Sequence, residues 1–135
     1  MTDSSSDFER RKHQRFVARR HGEVCFWISF GSGRLPLMDI SIDGFSVSDD
    51  AGLSLGQELP FELSLDFGDR IRGRTKVVNA LDTPAGKHFG CCFTEFEGTG
   101  ASQLKEWLTI HVMVSATVRI TPAEAEKIVI GPSLV

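Results

Sequence analysis

Two groups of residues in this chain have the types and spacing to do chemistry. The first is Arg10-Arg11-Lys12-His13-Gln14-Arg15, which contains R-x-x-x-R as Arg11 and Arg15. The second is Asp39-Ile40-Ser41-Ile42-Asp43-Gly44, the pattern D-x-S-x-x-G. An arginine presents a planar fork of donors that fits an anionic oxygen pair or the edge of a base. Asp39 and Ser41 stand two apart, so on a strand their side chains share one face, a carboxylate beside a hydroxyl. Met38, Ile40 and Ile42 then point the other way, into a core. Gly44 is expected where the backbone must turn through a conformation that a side chain would strain.

Charge supports an anionic ligand of small size. Residues 1–21 carry six Arg/Lys against three acids, or +3; residues 22–135 carry nine against fifteen, or −6. A basic arm on an acidic body suits a small or local anion. Duplex DNA would meet a broader basic face, and the absence of Tyr argues against a base-stacking barrel. No Ser/His/Asp order, phosphate-cradling glycine loop or acid pair reads as catalytic. His88 and Cys91 lack the second pair that a metal site needs, so no metal and no cofactor are expected.

The elements that must position these groups follow from periodicity. The chain has 135 residues, enough for one domain with a real core, and its 41% apolar and 24% charged shares are ordinary for a globular protein. Strands are expected over 23–30, 34–41, 44–48, 58–67, 70–81 and 86–96. In the fourth, Phe61, Leu63, Leu65 and Phe67 alternate onto one face; in the last, Phe89, Cys91 and Phe93 do so. Six strands joined by turns predict a closed or nearly closed antiparallel barrel, which removes sheet edges. After Gly98 the period changes to helical, with Leu104, Trp107, Leu108, His111 and Val112 on one stripe. Thr121-Pro122-Ala123-Glu124 reads as an N-cap, a first-turn proline and a capping box that opens a second, short helix. No apolar run is long enough to cross a membrane, no signal segment follows the N-terminus, and the odd cysteine count suits a reducing cytoplasm.

In order and spacing the two motifs resemble the PilZ domain of bacteria. The resemblance covers about residues 9–112. It includes Glu9-Arg10-Arg11-x-x-x-Arg15-Phe16 ahead of the barrel and Gly90-x-x-Phe93 on its last strand. It implies an all-β fold with a C-terminal helix, a six-stranded antiparallel β-barrel of split-barrel type. It also implies binding of the second messenger cyclic di-GMP by Arg10, Arg11, Arg15, Asp39, Ser41 and Gly44. The arginines would serve phosphates and guanine O6/N7, Asp39 the guanine N1–H and N2–H₂. Where some family members place an aromatic residue or Arg on the fifth strand, this chain has Val77-Val78-Asn79-Ala80, so no ligand role is expected there. The division that follows is a disordered lead over 1–8, a PilZ-like domain over 9–112 and a partly helical extension over 113–135. The expected function is a receptor, not an enzyme: its N-terminal arm closes on cyclic di-GMP and the altered surface signals to a protein target. The alternative is a PilZ-like adaptor that works by protein contact without the nucleotide.

Overall fold

The computed structural model describes residues 13–48, 52–66, 68–84 and 86–132. The strands are β1 (Phe16–Val17), β2 (Arg19–Arg20), β3 (Glu23–Val24), β4 (Trp27–Ser29), β5 (Arg34–Pro36), β6 (Asp39–Ile40), β7 (Gly44–Ser48), β8 (Glu58–Ser64), β9 (Arg70–Thr83) and β10 (Gly86–Phe96). Two helices follow, α1 (Gly100–Ser115) and α2 (Pro122–Ile130). Eight strands form one antiparallel sheet in the order β1-β6-β7-β10-β9-β8-β4-β5, and β2 and β3 form a separate ribbon.

The expected barrel is a curled sheet of more and shorter strands. Its last strand, β5, runs through Leu37 and Met38 into β6 near the opposite end. Within those few residues the chain changes partners. Leu37 N–H donates to the Phe26 carbonyl at 3.1 Å, and Met38 N–H donates to the Ser46 carbonyl at 2.8 Å. The sheet therefore closes through a single bent segment, which a continuous strand over 34–41 would not predict. The expected strand over 23–30 is likewise broken, because His21 (φ 52°) and Gly22 (φ 82°) make a tight turn that pairs Glu23–Val24 back onto Arg19–Arg20. Two central residues with positive φ match the right-handed twist of a two-residue hairpin.

Phenylalanine fills the interior. Phe30, Phe45, Phe93, Phe61 and Phe96 form a chain of ring contacts with centroids 5.0–6.3 Å apart. Phe61, Leu63, Phe89 and Cys91 are buried as alternation required. Phe67 lies outside the described residues. Met38 is a correction: Ile40 is fully buried but Met38 is 36% exposed, because the bend at Leu37–Met38 breaks the alternation.

Helix α1 lays Leu104, Leu108, His111 and Val112 inward, as the stripe predicted. Gly100 lets its first turn approach closely; a Cβ there would stand 3.1 Å from Ile71 and 3.3 Å from Phe96. The capping box of α2 is complete. Thr121 Oγ1 accepts from Glu124 N–H at 3.1 Å, and Glu124 Oε1 accepts from Thr121 N–H at 2.8 Å. Ala125 and Val129 bury α2 against α1, and Lys105 pairs with Glu126 at 3.0 Å. No helix among the described residues is long and apolar enough to cross a membrane.

Candidate functional site

The two motifs meet at the edge of the sheet. Strand β1 pairs with β6 in antiparallel register, Phe16 opposite Ile40 and Val17 opposite Asp39. This brings Arg15 beside Asp39 across 24 residues of chain: Arg15 Nη1 donates to Asp39 Oδ1 at 3.1 Å. Both side chains are mostly covered, 26% and 33% exposed. The second half of the arm is thus an edge strand of the sheet and not a free tail, which corrects the expectation that Arg15 stands on an exposed arm. Hydrophobic Phe16 explains the difference, since it packs against the core while its neighbour Val17 stays exposed. Arg10 and Arg11 lie outside the described residues.

Arg15 has one further property. Its Nε is buried and has no hydrogen-bond partner among the described residues. A buried donor left unpaired costs about 1–3 kcal/mol, so it sits in the wall as an unmet demand for an acceptor.

The D-x-S-x-x-G segment is a corner. Strand β6 ends at Ile40 and the chain turns. Ser41 Oγ accepts from Asp43 N–H at 3.1 Å and from Gly44 N–H at 3.3 Å, while Ser41 N–H donates to the Gly44 carbonyl at 2.8 Å. Ser41 is 2% exposed. The expectation that Ser41 shares an outer strand face with Asp39 is therefore corrected: the hydroxyl oxygen is spent on holding the turn, a common use of serine next to a bend. Its proton remains available to donate. Gly44 is also corrected in its reason. It has no positive φ; instead a Cβ would overlap the Cys91 carbonyl oxygen on the neighbouring strand and lie 3.0 Å from Cys92 Cα.

Asp43 Oδ2 meets His13 Nδ1 at 2.5 Å, a second tie between the arm and the corner. His13 in turn bridges to Pro132, just beyond α2.

These groups surround a cavity of about 580 Å³, a size usual for a small-molecule site. Arg15, Asp39, Ser41 and Gly44 all border it, with His13 and Asp43. The far wall is built by β9 and β10, and its β9 part is the Val77-Val78-Asn79-Ala80 stretch where no ligand role is expected from sequence. Val78, Asn79 and Ala80 face the cavity, with His88, Gly90 and Cys92. The Asn79 amide lies over Gly90, in space that any Cβ at 90 would occupy. A half-buried amide opposite a glycine, paired Asn79 to Gly90 across the hairpin, was the signal available in the sequence; it needed the register to be visible. Cys91 borders the same cavity but is buried, and burial pushes its thiol pKa up to about 12, so it stays neutral and unreactive. His88 and Cys91 do not join a metal cluster; none of three or more ligands exists among the described residues.

No curated protein matches the chain. Among solved structures, the Bacillus subtilis inhibitor of motility (MotI/DgrA) is similar at TM-score 0.53 and 17% identity, over 70% of this chain and 47% of that one. This chain thus spans about half the length of that protein. A Legionella uncharacterized protein is similar at TM-score 0.48 and 19% identity, over 68% of this chain and 86% of that one. The PilZ domain family matches residues 9–109, from the arm through most of α1. With that match spanning most of its length, both motifs within it and a curled antiparallel sheet capped by C-terminal helices, the chain belongs to the PilZ domain family.

Proposed function

We propose that the cavity between β1, the Ser41 corner and the β9–β10 wall binds cyclic di-GMP, and that the protein is a non-enzymatic receptor which relays binding to a protein target. The observation that carries this reading is the meeting of Arg15, with its unpaired buried Nε, and Asp39 at one cavity. Arg15 supplies a cation and a donor for a phosphate or for guanine O6/N7. Asp39 keeps a second carboxylate oxygen to accept guanine N1–H and N2–H₂. Ser41 donates its remaining proton, and Asn79 offers an amide to a base edge from the opposite wall. Arg10 and Arg11 enter as further cations on the same arm, and binding repositions that arm.

A calorimetric titration in low salt tests it. Micromolar or tighter binding is expected, about 8 kcal/mol, weakening as salt screens the arginine–phosphate attraction. No heat and no thermal shift at high micromolar nucleotide would sink the reading. The protein would then be an adaptor acting by contact alone.

Asp39→Ala separates ligand chemistry from corner chemistry. It should weaken binding by about 1–3 kcal/mol, because guanine donors lose their acceptor. The apo fold should lose at most about 1 kcal/mol, the range for a solvent-accessible ion pair. Thermal melts and titrations of the same preparation read both. A mutant that melts far lower yet binds normally assigns Asp39 to the corner and not to the ligand.

A further inference from the structure

A buried histidine on α1 holds the arm, and it lies just beyond the residues the PilZ family matches. His111 is 2% exposed on a stripe otherwise made of Leu104, Leu108 and Val112. An imidazole is costly to bury unless both nitrogens are bonded. Both are, and each has its shorter bond to the arm, with Cys25 Sγ 3.9 Å from Nδ1 besides. The Val17 carbonyl can only accept, so Nε2–H donates to it at 2.9 Å. Arg20 Nε can only donate, so Nδ1 accepts from it at 2.9 Å. Phe26 meets the ring edge-on at 5.1 Å and fixes its plane. Burial lowers the pKa of His111, which suits this neutral, single tautomer.

The helix does not need a histidine for its own packing, since the leucines and the valine supply that. The arm does need it. Strand β1 lies at the end of the sheet, and on its inner side Val17 faces Asp39 while Ala18 N–H donates to the Met38 carbonyl. The Val17 carbonyl is taken by His111. The same segment is tied to the chain just beyond the other helix by the His13–Pro132 bridge. Arg15 stands between the two attachments.

We propose that His111 is a positioning residue for the ligand cavity: through Val17 and Arg20 it sets the place of Arg15, and the α1–α2 hairpin senses ligand by the same bonds. This rests on the cyclic di-GMP reading of the cavity. Coupling between two sites is reciprocal, so what holds the arm for the ligand is in turn held by the ligand.

The test compares the wild type with His111→Ala, His111→Gln and Leu108→Ala, by amide exchange without nucleotide and by titration with cyclic di-GMP. His111→Ala should speed exchange over residues 15–20 and weaken binding at least about fivefold, the low end of ordinary site-to-site coupling. His111→Gln restores an N–H for the Val17 carbonyl and should recover part of both losses. Leu108→Ala removes packing from the same helix but no bond to the arm. It should melt lower yet, while folded, bind as the wild type does. Unchanged exchange in His111→Ala, or equal weakening by Leu108→Ala, overturns the proposal. Should His111→Ala not fold, Arg20→Ala removes the Nδ1 bond alone and must speed the same exchange, or the proposal fails. If the wild type itself binds no nucleotide, the functional reading falls, and with it His111's role at the ligand; the exchange arm still decides whether His111 holds the segment.

Discussion

Arg15→Ala is expected to cut cyclic di-GMP affinity by about 1.5–3 kcal/mol, the range for a hydrogen bond to a charged group, which is roughly 10- to 150-fold. The loss has two sources. The cation facing the ligand disappears, and Asp39, no longer held by Nη1 at 3.1 Å, loses its fixed orientation toward the cavity. The apo protein should keep its fold, because the pair is still a quarter to a third exposed and such pairs contribute about 1 kcal/mol at most. Removal of the buried, unpaired Nε even relieves a local cost. Arg11→Ala should weaken binding within the same range. Titration of each variant beside its thermal melt decides. An Arg15→Ala protein that binds like the parent would place the nucleotide elsewhere. One that unfolds would make the arm purely structural.

Gly44→Val should damage both stability and binding. The new Cβ would run into the Cys91 carbonyl and crowd Cys92 Cα, backbone atoms of the strand that pairs with β7. A carbonyl in a ladder cannot swing aside as a side chain can. Overpacking of this kind costs about 1–3 kcal/mol or more. Relief requires β7 to draw back from β10, which moves the Ser41 corner and the cavity floor together. Even Gly44→Ala meets the same carbonyl, so alanine should be nearly as harmful as valine. That comparison is diagnostic. If strain came from a positive φ, valine would be much the worse of the two. Melting temperature and affinity for both variants give the answer. A stable Gly44→Ala that binds normally would show that the strands part cheaply here.

Much of the architecture was legible because it depends on local periodicity. Alternation of Phe61 with Leu63, and of Phe89 with Cys91, marks strands whose one face is buried. Helical spacing of Leu104, Leu108, His111 and Val112, and Thr121-Pro122-x-Glu124, mark two helices by hydrogen bonds that close within four residues. Motif spacing named the family. Other features depend on which strands become neighbours. The change of partners at Leu37–Met38, the edge pairing of Phe16–Val17 with Asp39–Ile40, and the use of Ser41 Oγ inside the turn each join residues by contacts that have no period. Asn79 stood in a stretch dismissed for its residue types, and only the β9–β10 register brings it over Gly90 and into the cavity. His111 appeared in sequence as one more member of an apolar stripe. Its two bonds run to residues more than 90 positions away, at Val17 and Arg20. Sequence by itself determined the long strands β8 to β10, the two helices, the family and the Arg15 and Asp39 side of the cavity, because those are written in short-range patterns and spacing. Tertiary structure alone decided which side chains face one another, because a hydrogen bond between distant residues is set by packing and closure of the whole sheet and leaves no local trace.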